Sequence, residues 1–315
     1  MLSNEQLSGC HVALITPMTP CGSMMVIDYD RVFGLIDRCL EGGVAGLLFA
    51  GTTGQSATLS HAEQIELCAR GIEYARARAQ ALGRPVTCLA SAGSNATAEA
   101  LHLTQHIAET SHPDGLLHVT GYYNNPPQEG LLRHFETVAD LAERFDTSII
   151  LYNIPGRTGS RIEAETVIRL ARHPGIAAVK DATGDLDSLA RIRAETDPNA
   201  FALLSGEDHL VSPIIRLGGI GVISASANRW PAAFQRLAEL ANAGDFGAAD
   251  ELQAALQPCI DAVFSVKNPI PLHHMFDAGL RRPLVSVDEL ADEHRVRVTG
   301  LIDAAEAIER LPHVD

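Results

Sequence analysis

Eight short apolar runs, separated by longer amphipathic stretches, constrain this chain more than any other feature. They are His11 to Thr16, Gly46 to Phe49, Val86 to Ala90, Gly115 to Val119, Ser148 to Tyr152, Ile176 to Lys180, Phe201 to Ser205, and Gly221 to Ser224. Runs of four to six residues, rich in β-formers and alternating with helix-period segments, are expected of repeated βα units whose parallel strands are buried on both faces. Eight such units close most naturally into a (β/α)8 TIM barrel. An open doubly wound sheet usually has fewer strands and a glycine-rich phosphate fingerprint, and neither G-x-G-x-x-G after the first run nor G-x-x-x-x-G-K-[ST] occurs here.

The intervening segments carry helix signals of their own. Ser60 with Glu63 makes a capping box before QIELCARGIEYARARA, and Asp28 can cap the stretch that ends at Gly42-Gly43. EALHLTQHIAE and EGLLRHFETVADLAERF place apolar residues three and four apart. After Ala225 the strand signals stop. PAAFQRLAELANAG, FGAADELQAALQPCIDAVFS, PIPLHHMFDAG and a segment from about Val287 to Arg310 each predict a helix. The expected organisation is a barrel catalytic domain over 1–235 and a C-terminal helical region over 236–315, packed on the barrel or on another subunit.

Composition excludes several functions. A formal net charge of -15 repels phosphate backbones and anionic headgroups, so nucleic-acid and membrane-surface partners are disfavoured, and an anionic substrate would need a local cation. Six cysteines at 10, 21, 39, 68, 88 and 259 form no C-x-x-C pair, which predicts reduced thiols that fill apolar space. No basic segment precedes the first apolar run and no apolar stretch is long enough to cross a bilayer, so a soluble, cytoplasmic protein is expected.

In such a barrel the residues just past the strands converge on one mouth. Gly51-Thr52-Thr53-Gly54 follows the second run, Tyr122-Tyr123 follows the fourth, Tyr152 closes the fifth with Arg157 shortly after, and Lys180 closes the sixth. An apolar strand that ends in lysine carries its ammonium into a desolvated site and lowers its pKa, so that a neutral amine can attack a ketone. Taken alone, such a lysine reads equally as one snorkelling to solvent. Tyr152 and Tyr123 can relay protons with a threonine hydroxyl, or simply pack. Arg157 can bind a carboxylate in bidentate fashion, or lie on the surface. The GTTG turn offers hydroxyls and backbone amides to the carboxylate of a 2-oxo acid. His102 and His106 stand four apart on a predicted helix, but Leu103 occupies the place of the glutamate in H-E-x-x-H, which favours surface histidines over a metal site.

In this order GTTGQSATLS, VTGYYNNPPQEG, LYNIPGRTG, VKDATGD, LLSGED and GGIGVISASAN resemble the dihydrodipicolinate synthase and N-acetylneuraminate lyase family, over about His11 to Pro271. The resemblance implies a class I aldolase-type lyase in which Lys180 binds pyruvate as a Schiff base, with neither metal nor organic cofactor. It implies a homotetramer, a dimer of dimers. Thr52, Tyr123 and Tyr152 fall on the family's proton relay, with Tyr123 reaching into the neighbouring subunit's site. Thr53, Gly206 and Ile223 fall on pyruvate-binding positions, and Arg157 on the arginine that synthases use for the carboxylate of L-aspartate 4-semialdehyde. The implied reaction is condensation of those two compounds to 4-hydroxy-tetrahydrodipicolinate, toward diaminopimelate and lysine. A divergent 2-oxo-acid aldolase or dehydratase is the alternative, and a non-catalytic ligand sensor on the same scaffold a third. Ser56, Ala57, Leu59, His61, Asn95, Glu99 and Tyr122 fall where lysine-inhibited synthases bind that effector. Asn95 and Glu99 read otherwise as residues that cap and flank the helix beginning near Thr97.

Overall fold

The ladder of this protein keeps three predicted strands to the residue and moves the ends of the others by one to three positions. The structure, a computed structural model, describes residues 2–308 and 310–314. Among them the strands are β1 Gly9–Ala13, β2 Met18–Cys21, β3 Met24–Ile27, β4 Gly46–Phe49, β5 Thr87–Ser91, β6 Gly115–Val119, β7 Ser148–Asn153, β8 Ile176–Asp181, β9 Ala202–Ser205 and β10 Gly221–Ser224. β1 and β4 to β10 pair in parallel with their sequence neighbours, and β1 also pairs with β10, which closes the barrel. Helices lie between successive strands of the barrel, so the fold is the (β/α)8 barrel with C-terminal helices that the periodicity predicts.

Period-two alternation divides the apolar residues into two layers. Ala13, Leu48, Leu89, Leu117, Ile150, Ala178, Leu204 and Ile223 point inward and form one buried cluster. Val12, Leu47, Phe49, Ala90, Leu116, Leu151, Val179 and Leu203 point outward and pack beneath the helices in a second, larger one. Each leucine or isoleucine so buried contributes roughly 1.5–3 kcal/mol. The outer layer has little slack. A Cβ added at Gly71 would lie 2.4 Å from Phe49 Cε1, so any larger residue there would push the helix His61–Ala81 off the barrel.

Three differences from the sequence expectation have clear causes. The first strand is Gly9–Ala13 rather than His11 to Thr16, because Ile15 N–H leaves the ladder for Asn228 Oδ1 (3.0 Å) and the Thr16 hydroxyl donates to Gly54 O (2.7 Å). Apolarity marks burial, and here burial outlasts strand pairing. The helix expected over FGAADELQAALQPCIDAVFS divides into Phe246–Ala255 and Gln257–Phe264, since Pro258 lacks an N–H and belongs in a first turn. The antiparallel hairpin β2–β3 was not expected at all, as its half-exposed strands carry no alternation.

The helix starts follow their caps. The Ser60–Glu63 capping box forms, and Asp28 accepts from Arg31 N–H. Glu63 also takes two hydrogen bonds of 2.8 Å from Arg281, and chiefly through that guanidinium its carboxyl is held down at about 2. Cys259, Ile260, Val263, Leu272 and Val298 join the same outer cluster as the strands, so the segment after 236 packs on the barrel of its own chain. Five of the six cysteines are buried, Cys21 is exposed on β2, and all are free. Among the described residues, no helix is long and apolar enough to cross a membrane.

Candidate active site

Tyr152 and Lys180 are register partners on adjacent strands β7 and β8, at inward-facing positions one step past Ile150 and Ala178. The ladder therefore fixes their backbones side by side at the carboxyl end of the barrel. Lys180 Nζ lies 4.3 Å from the centroid of the Tyr152 ring, and both residues are buried. Burial lowers the Lys180 amine to about 8, with the Arg157 charge acting in the same direction and the Asp208 and Glu207 carboxylates opposing it. At pH 7 about one amine in ten is then neutral, without any base to activate it. Burial raises the Tyr152 phenol well above its ordinary range, so it stays protonated and can donate as well as accept; Thr52 shares a side-chain hydrogen bond with it.

Around this pair lies a cavity of about 250 Å³. Thr52, Thr53, Arg157, Gly206 and Ile223 all line it, as the sequence reading expects of a single site. The chain needs a glycine at 206 because a Cβ there would meet Asp181 O at 2.9 Å. Two polar links draw the mouth together. Asn268 Nδ2 donates to Thr53 Oγ1 (2.9 Å), and an Arg157 guanidinium N–H donates to Asn268 O (3.1 Å). Asn268 thus ties the turn after β4 to the short helix Pro155–Thr158 after β7.

Glu207 also lines the cavity, and the adjacent Asp208 is buried with Oδ2 accepting from Ser226 N–H (2.8 Å). Burial raises both carboxyls, while Lys180 pulls them down. Sequence reasoning did not single out Asn268, Glu207 or Asp208. The motif LLSGED contains the acids beside Gly206, and that was the signal for them. Asn268 had none that was local.

Tyr123 stands apart. Its side chain is 97% exposed and its backbone adopts φ 72, a left-handed conformation that a bulky residue rarely takes. Its N–H donates to Thr158 O (3.1 Å), which holds it over the rim but outside the cavity of its own chain.

A second cavity of about 440 Å³ shares Thr52, Tyr152 and Arg157 with the first as a common wall. Ser56, Ala57, Leu59, His61, Glu99 and Tyr122 line it. Glu99 Oε2 accepts from the Ser94 hydroxyl (2.7 Å). Asn95 does not line this cavity; its Oδ1 accepts from Tyr122 N–H (2.9 Å) and so fixes the tyrosine pair from behind. The His102 and His106 rings lie with centroids 4.1 Å apart, tilted by 39°, on the helix Thr97–Ser111, and His106 Nδ1 contacts His102 O at 2.8 Å.

Comparison with known proteins places these features in company. Residues 6–304 match the dihydrodipicolinate synthetase family. A 4-hydroxy-tetrahydrodipicolinate synthase from Methanopyrus kandleri is 42% identical over 268 residues, 85% of each chain. A solved DHDPS from Cyanidioschyzon merolae with lysine bound superposes with a TM-score of 0.85 at 34% identity, covering 96% of this chain and all of the other. The chloride-inhibited dihydrodipicolinate synthase from Acinetobacter baumannii, complexed with pyruvate, gives a TM-score of 0.85 at 32% identity over 96% of this chain and all of that one.

Proposed function

The chain belongs to the dihydrodipicolinate synthetase family, and from that premise we propose that it condenses pyruvate with L-aspartate 4-semialdehyde to give 4-hydroxy-tetrahydrodipicolinate. The observation that carries the reading is the register pair Tyr152–Lys180, a partly neutral amine beside a protonated phenol in one cavity. The Lys180 amine attacks the ketone carbon of pyruvate, and Tyr152, with Thr52 behind it, protonates the departing hydroxyl so that water leaves and an imine remains. Thr53 holds the pyruvate carboxylate, with Gly206 and Ile223 forming the wall opposite. Loss of a methyl proton gives the enamine. Its carbon attacks the aldehyde, whose oxygen becomes the 4-hydroxyl, while Arg157 holds the acceptor's carboxylate. The acceptor's own amine then displaces Lys180 from the imine carbon, which closes the ring and regenerates the free amine.

The exposure and left-handed backbone of Tyr123 support a homotetramer in which that phenol completes the relay of a neighbouring chain. The second cavity supports a lysine effector site, with Glu99 facing the effector's ammonium and His61 closing the pocket. The shared wall of Thr52, Tyr152 and Arg157 gives such an effector a direct route to the relay.

Borohydride reduction in the presence of pyruvate tests the reading. A stable mass is expected on the peptide carrying Lys180 and on no other, and Lys180→Ala should abolish it. Labelling that survives in Lys180→Ala would overturn the assignment.

A further inference from the structure

The chain contains twenty-two arginines and only two lysines, Lys180 and Lys267, and both line the same 250 Å³ cavity. Everywhere else the chain supplies its positive side-chain charge with arginine. Lys267 is exposed at the mouth; its carbonyl accepts from Ile270 N–H (3.0 Å), and among the described residues its ammonium makes no ion pair or hydrogen bond. Its backbone is nevertheless held in place. The next residue is buried Asn268, whose side chain donates to Thr53 and whose carbonyl accepts from Arg157. The Asn268 Oδ1 atom is itself buried with no partner. Lys267 and Arg157 thus bring two cations to the rim of a cavity in a chain of net charge -15, with Glu207 as an acid on the same lining.

We propose that Lys267 is a specificity-determining residue that, with Arg157, holds the anionic end of the aldehyde acceptor, so that the site selects aldehydes bearing a carboxylate over neutral ones. The proposal deepens the function proposed above and rests on it. A compact ammonium on a flexible stem suits this place, because it can follow a carboxylate that shifts as the new carbon–carbon bond forms, while Arg157, tied to Asn268, stays fixed. A carboxylate held by both cations is also carried toward Lys180 by the local field, which the chain's overall charge would otherwise oppose. Lys267 takes no part in proton transfer. It should leave pyruvate capture untouched.

The experiment compares wild type, Lys267→Met and Lys267→Arg, with aspartate semialdehyde and a neutral short-chain aldehyde as acceptors, and traps the pyruvate adduct in each variant. Removing an exposed charge at a binding rim should raise KM for aspartate semialdehyde about five- to tenfold, leave kcat within about twofold, and leave the neutral aldehyde unchanged. Lys267→Arg should restore most of the loss. Raised ionic strength should increase KM for aspartate semialdehyde more in wild type than in Lys267→Met. An unchanged KM in Lys267→Met overturns the role of Lys267 alone. Equal losses on both acceptors, or a parallel loss of the pyruvate adduct, show a structural role and overturn it too. Wild-type protein that traps pyruvate but turns over no carboxylate-bearing aldehyde overturns this proposal together with the acceptor half of the proposed function.

Discussion

Two cavities meet at one wall in this barrel, and they are built in different ways. The 250 Å³ cavity takes its chemistry from inward-facing residues at strand ends, where the ladder fixes Tyr152 against Lys180 and burial moves both pKa values. The 440 Å³ cavity draws on the turn Ser56–Thr58, the loop before the helix Thr97–Ser111 and the start of the helix at His61, as well as on the strand residues Ser91, Leu117, Val119 and Tyr152. Its acid, Glu99, is held by a single hydroxyl rather than by a strand. Desolvation that is strong enough to produce a nucleophile needs rigid neighbours on every side, and a sheet supplies them. Recognition of a charged solute needs fixed polar partners and an open approach, which turns and helix starts supply.

Substitutions on either side of the wall should separate the two. Arg157 belongs to both cavities, yet its loss should fall mainly on the acceptor. Arg157→Ala is expected to lower kcat/KM for aspartate semialdehyde by about one to two decades, as for a charge-assisted contact of roughly 1.5–3 kcal/mol, while borohydride trapping of pyruvate persists. Parallel losses in both assays would mean that the wall cannot be divided. Glu99→Ala should weaken lysine binding about tenfold in calorimetry and abolish inhibition by lysine, with Schiff-base formation intact. Wild-type protein that binds no lysine at millimolar concentration would leave the second cavity without that role. The smallest expected effect is one of pH. The Lys180 amine, lowered to about 8, gains its neutral form as pH rises, so imine formation should speed up about fivefold from pH 7 to pH 8, with an inflection near the amine's own value. Lysine binding should not follow that curve, and a shared inflection would show the two cavities titrating as one.

Much of this was legible in the chain because parallel strands announce themselves. The runs Gly46–Phe49, Gly115–Val119 and Gly221–Ser224 each start at a glycine, are apolar apart from His118 and the terminal Ser224, and hold their bounds. Lys180 and Tyr152 were legible for the same reason, as polar residues that end apolar strands. The structure places both at one mouth. The limits were equally physical. The first strand slides because Leu14 and Ile15 are buried past the end of pairing, and the hairpin β2–β3 hides in half-exposed, unpatterned sequence. Asn268 could not be found from its surroundings, since its partner Thr53 is 215 positions away and nothing in NPIP points there. Tyr123 was legible as a residue just past a strand, but its reach toward a neighbouring chain came only from the resemblance, as neither its exposure nor its left-handed backbone is written in the residues around it.

Asn268 also sets an order of events in the making of the protein. A ribosome working at about 5–20 residues per second releases the chain from its amino end, and a domain folds as a unit once its elements are out. β10 ends at Ser224, so every strand of the barrel is outside the ribosome before residue 268 is joined to the chain and clears the exit tunnel. Until then Thr53 and Arg157 lack the partner that draws the turn after β4 toward the helix after β7. A barrel closed before residue 268 emerges therefore holds its lysine nucleophile beneath a rim that still lacks the Asn268 link.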